Sequence, residues 1–182
     1  PLNYFQVALD NSIYKLQSLH EILSEGLNLF EKLFAYKSRT FIAPCYTWHP
    51  DIEQTLFENG VYGLQGLVYQ QIPGGGTSRH WMGSRNAYGQ IYTIRNAFFE
   101  PTLSSNIDNI NDCLFRIECA FRWNKPAVIS SHRINYIGSI HEENRNNNLR
   151  KLDRLLTEIQ TKWPNVEFMT TDKLVDEINL HT

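Results

Sequence analysis

The order of apolar segments predicts an α/β domain built on a mainly parallel sheet. Short apolar runs alternate with helix-period segments along most of the 182 residues, which is the rhythm of βα units. One run, Ala127 onward in AVISSHRINY, is apolar and β-branched without alternation, as suits a strand buried on both faces. It stops at His132, Arg133 and Asn135, polar residues at the carboxyl end of a strand, where α/β folds build their sites.

Taken in order, Tyr4 to Leu9 places Phe5, Val7 and Leu9 on one side and reads as a strand ending at Asp10. A helix follows over Ile13 to Ala35, with Leu16, Leu19, Leu23, Leu27, Phe30 and Phe34 on one stripe. Phe41 to Pro44 is a short strand. Pro50, Asp51 and Glu53 open a helix that Gly60 ends. Val61 to Leu67 is a third strand. From Val68 to Gln90 periodicity vanishes, and Pro73 to Gly76 marks a long loop. Ile91 to Arg95 is a fourth strand, and Ser105 or Asn106 caps a helix whose stripe is Ile107, Ile110, Leu114, Ile117 and Phe121. After the strand at Ala127, the polar stretch Glu142 to Asn148 leads into a helix carrying Leu149, Leu152, Leu156, Ile159 and Trp163, stopped by Pro164. Val166 to Met169 is a last strand, and Thr171 or Asp172 begins a short final helix. No repeat or linker interrupts the chain, so residues 1–182 read as a single domain.

Composition is that of a globular protein, 42% hydrophobic and 20% charged. A net charge of −2 gives no reason to expect nucleic acid or an anionic membrane as partner. No apolar run has membrane-spanning length and no signal peptide is visible. Cys45, Cys113 and Cys119 form no CxxC pair, and their odd number favours free thiols and a reducing compartment, the cytoplasm.

The candidates for chemistry all follow apolar runs: Asp10; Tyr46, Trp48 and His49; Gln65; Arg95, Asn96 and Glu100; His132, Arg133 and Asn135. A common carboxyl-end face would gather them into a polar site rimmed by Tyr46, Trp48 and Trp81. An imidazole and a guanidinium directly after a buried strand are costly unless used. Arg95 has a plainer alternative in pairing with Glu100, and His49 in preceding the helix at Pro50. Several sharper motifs are excluded. GGGTS at Gly74 to Ser78 lacks the lysine of a phosphate-cradling loop. HExxH and GxSxG are absent, and the histidines never fall at the spacing of a helical metal pair. Cys45 has no clear activating neighbour.

Three stretches carry a resemblance. SRTFIAPCYTWHPDIEQTLFENGV, Ser38 to Val61, resembles the strand–turn–helix of polysaccharide deacetylases that bears their RPPYG-like motif. AVISSHRINY resembles the late strand ending in their catalytic histidine, and the tail from Leu149 to Leu174 resembles their closing helix, strand and short helix. The resemblance implies an incomplete or deformed seven-stranded (β/α) barrel that removes acetyl groups from N-acetylated sugars with a divalent metal, zinc before others. It implies His132 as general acid, Arg95 as the arginine that orients a catalytic carboxylate, and Tyr46 in the substrate groove. Trp48, His49, Asn96, Arg133 and Asn135 complete the expected carbohydrate-binding set. Two departures stand out. Ile42 replaces the arginine of the RPPYG-like motif, and no Asp pair or His-x-x-x-His ligand set precedes Leu16. A chain that begins at Pro1 is therefore expected to be the C-terminal part of a longer enzyme, with a non-catalytic glycan-binding relative as the alternative.

Overall fold

The computed structural model describes residues 13–104 and 106–181, with the side chains of the first helix from Ser18 onward. The strand expected at Tyr4 to Leu9, Asp10, and the capping residue Ser105 lie outside the described residues. The architecture is mixed α/β with small, mostly parallel sheets, and the chain divides into two compact units. The first holds everything through Ile94 together with the last helix; the second runs from Arg95 to Phe168.

In the first unit, helix α1 (Ile13–Phe34) is followed by strand β1 (Thr40–Ile42), a 3-10 turn at Pro44–Tyr46 and helix α2 (Ile52–Glu58). Strands β2 (Gly63–Gly66) and β5 (Ile91–Ile94) complete a three-stranded parallel sheet in the order β1-β2-β5. Leu19 and Leu23 from α1 and Ile52 and Leu56 from α2 close over Val61, Leu64, Tyr92 and Ile94. The α1 stripe therefore buries its middle, while Phe34 at its end stays exposed and packs on Phe30 and Tyr36. Helix α2 ends as expected at Gly60, whose φ of +86° a side-chain-bearing residue would resist.

The expected loop from Val68 to Gln90 instead contains an antiparallel hairpin, β3 (Tyr69–Gln71) with β4 (Thr77–Arg79). Its strands consist of polar residues and one tyrosine, so they alternate in burial without alternating in hydropathy. Gly74, Gly75 and Gly76 all take positive φ in its turn. Gln70 on the inner face is buried and donates to the Trp48 carbonyl at 2.8 Å.

In the second unit, β6 (Ala97–Phe98) pairs in parallel with β7 (Ile129–Ser130). Helix α3 (Asn109–Arg122) is capped by Asp108, whose carboxylate accepts from the Asn111 amide, and not by Asn106. Ile110, Cys113, Leu114 and Ile117 pack against Ala97 and Phe99, while Ile107 is exposed. Helix α4 (Glu142–Lys162) begins a full two turns before Leu149, with Glu142 and Glu143 at its positive end. Its buried face is Asn148, Leu155 and Ile159 with Leu152; Leu149 and Leu156 face solvent. The strand expected at Val166 to Met169 has no ladder partner among the described residues, and Phe168 and Met169 are exposed. Helix α5 (Thr171–Leu180) returns to the first unit, where Val175 is buried and Asp176 makes a two-pronged pair with Arg39 at 2.5 and 2.8 Å.

Candidate functional site

The register of β6 with β7 determines what meets at their carboxyl ends. Phe98 lies opposite Ser130, so two residues further on Glu100 arrives beside His132. The Glu100 carboxylate accepts the His132 backbone N–H at 3.1 Å through Oε1 and lies 2.6 Å from its Nδ1. A carboxylate only accepts, so Nδ1 carries a proton and donates it, which leaves Nε2 as the ring nitrogen open to a reacting group. The Glu100 side chain is 12% exposed and that of His132 57%. The result is a mostly buried acid holding an open imidazole whose Nε2 has no hydrogen bond among the described residues.

Asn135 locks this pair from beneath. It is fully buried, and its Nδ2 donates to Glu100 Oε2 at 2.8 Å and to the His132 carbonyl at 2.9 Å. Its Oδ1 accepts from the Thr102 amide at 3.0 Å. The 3-10 turn at Arg133–Tyr136 that carries Asn135 is tied to α4 by two asparagines one helical turn apart. Asn148 donates to the Asn135 carbonyl and to Thr102 Oγ1; Asn144 donates to the Ile134 and Ile137 carbonyls. Ser131 bridges the Phe99 carbonyl and the Tyr136 hydroxyl. Burial holds the Tyr136 phenol above its ordinary range, and the Cys113 thiol is pushed up to about 12, so neither is poised as a nucleophile.

The other expected residues fall into place less evenly. Arg95 is half-buried with Nη1 3.4 Å from Ser130 Oγ, and Glu100 pairs with His132 in the place the arginine was expected to take. Asn96 is a strand clamp: its amide donates to the Pro126 carbonyl and accepts from the Val128 N–H at 2.7 Å. Its polar atoms are thereby engaged with backbone and not held out for a sugar. Arg133 is exposed.

Tyr46, Trp48, His49 and Gln65 lie in the first unit. Tyr46 is half-buried against that unit's core, at a left-handed φ of +56°. Trp48 was expected on a substrate rim; at 2% exposure it is core. Its indole N–H donates to the buried Glu53, which also accepts from Tyr92 and Asn86. His80 stacks between Tyr92 and Trp48 and meets Gln70 Oε1 at 2.7 Å. His49 Nδ1 accepts from the Asp51 amide at 3.3 Å, a helix-start role. Gln65 donates to Thr40 Oγ1.

No family model, no curated protein and no solved structure matches the chain. Its functional reading therefore rests on its own chemistry. Among the described residues, no three His, Cys, Asp or Glu side chains converge to hold a metal ion, and no helix is long and apolar enough to cross a membrane. Cys45, Cys113 and Cys119 are all free thiols.

Thr102, Asn144 and Asn148 were missed by sequence reasoning. The only signal was polarity itself: asparagines at a four-residue spacing in a stretch without apolar periodicity.

Proposed function

We propose that the second unit carries the proton-transfer centre of a carbohydrate-active hydrolase of the polysaccharide-deacetylase type, with His132 as general acid. The observation that supports this reading is the Glu100–His132 pair at the carboxyl ends of two adjacent parallel strands. Hydrolysis of an N-acetyl group adds water to the carbonyl carbon and breaks the C–N bond, and the leaving nitrogen must gain a proton. In its imidazolium form His132 supplies that proton from Nε2 and is left as the neutral ring, while Glu100 holds Nδ1–H and fixes the ring throughout. Asn135 keeps Glu100 in place.

The deformed (β/α) barrel and a divalent metal that activates the attacking water belong to the same proposal, and the described residues supply no ligand set for such a metal.

The test is acetate release from N-acetylated oligosaccharides by the wild type and by His132→Ala. Loss of a positioned acid is expected to slow turnover by about 10²–10⁴-fold, with oligosaccharide binding retained. Turnover unchanged by the substitution would overturn the assignment. Saturable binding by a wild type that releases no acetate would favour the non-catalytic glycan-binding reading.

A further inference from the structure

The hairpin β3–β4 has two faces of different character. Gln70 and His80 point inward and are buried, with Ser78 half-buried beside them. The outer face carries Tyr69 and Gln71 opposite Arg79 and Thr77, and Trp81 continues it two residues beyond Arg79. All five are exposed. Tyr69, on the ladder, is 52% exposed and Trp81, just beyond it, 58%, a large area for two neighbouring aromatic residues. The Arg79 guanidinium lies between them, 4.1 Å from the Trp81 ring centroid and 5.9 Å from that of Tyr69. Among the described residues Arg79 makes no ion pair, although the chain as a whole is slightly acidic.

We propose that this face binds an acidic glycan, with a sugar ring stacked on Trp81 or Tyr69 and a uronate carboxylate on Arg79. The Trp81 ring beneath it restrains the guanidinium, and a planar fork held in place is what recognises a carboxylate. The rings supply flat apolar surface for the C–H faces of a pyranose. Gln71 and Thr77, on the same face, offer amide and hydroxyl groups to its hydroxyls. The choice of a sugar ligand rests on the carbohydrate reading above, whereas the requirement for negative charge comes from Arg79 alone.

Affinity electrophoresis separates the two. The intact chain is run in native gels containing polygalacturonate or alginate, and in gels containing the esterified, neutral form of each. With a net charge of −2, general electrostatics would repel the protein from either polyuronate. Retardation is expected in at least one polyuronate and about tenfold less in its ester. Arg79→Gln is expected to abolish that difference, and Trp81→Ala to abolish retardation in both forms. Both residues are exposed, and unchanged thermal unfolding of each variant establishes that it folds.

Equal mobility with and without both polyuronates, or a preference for the polyuronate over its ester that survives Arg79→Gln, would overturn the proposal. Because no turnover is measured in the gels, a wild type that releases no acetate in the earlier experiment but is retarded here would reject the deacetylase reading and leave this site standing.

Discussion

Glu100 shows how a residue's role follows from its neighbours more than from its type. As a strand-end carboxylate it had Arg95 as its expected partner, and the parallel register of β6 with β7 brings it to His132 instead. His132 and Asn135 were legible as costly polar residues after a buried run; the acid that serves them was legible only as an alternative. Trp48 is the opposite case. Next to His49 and a proline it looked like a sugar platform, yet the buried carboxylate of Glu53 five residues on takes its indole N–H at 2.9 Å. A tryptophan can be core as readily as surface, and sequence spacing does not distinguish the two. One residue in the sheet is unsatisfied. Thr93 on β5 is 1% exposed and its Oγ1 has no hydrogen-bond partner among the described residues. Thr93→Val keeps the shape and removes the orphan hydroxyl, and is expected to raise stability by about 1 kcal/mol, read from urea unfolding midpoints. A loss of stability would mean that the hydroxyl is bonded after all.

Among the elements, the 3-10 turn at Arg133–Tyr136 depends most on polar contacts. It owes its position to Asn135, Asn144, Asn148 and Thr102, which exchange hydrogen bonds with one another and with backbone carbonyls. Asn148→Ala removes a 4%-exposed side chain and leaves the Asn135 carbonyl and Thr102 short of donors. It is expected to cost about 1–3 kcal/mol in equilibrium denaturation. Asn147→Ala, on the exposed side of the same helix, is expected to change little. Equal effects of the two would show that the network is not what holds the turn. Helices α1 and α3 were legible because apolar residues recur along one face. The start of α4 and the hairpin were not, because both are built from polar side chains whose buried members answer to hydrogen bonds. Val166 to Met169 erred the other way. It has strand composition, but no neighbouring strand to pair with among the described residues.

At the scale of the whole chain, the α/β class and the parallel pairing followed from the alternation of elements, which local sequence does record. Division into two compact units did not, since no linker or change of composition marks Ile94 and Arg95. The first unit also holds a proton-linked feature. Burial lowers the affinity of His80 for a proton, only partly opposed by the nearby Glu53 carboxylate. The folded chain thus keeps His80 neutral where the unfolded chain, with an ordinary histidine value of about 6.5, begins to charge it. Stability is therefore full above that value and declines as pH falls through it, because the unfolded state then binds the extra proton. Melting temperatures from pH 8 to pH 5 should show that decline in the wild type. His80→Gln, which can still bond Gln70 but does not titrate, should flatten it; an unchanged slope would place the linkage elsewhere.

The central claim is that Glu100 acts through His132 as one proton-transfer unit. Its most direct test is acetate release by wild type, Glu100→Gln, His132→Gln and the double variant. Groups that act as a unit are not additive, so the double variant should be no slower than His132→Gln alone. If the two losses multiply, or if His132→Gln turns over like wild type, the pair is a structural contact and the claim fails.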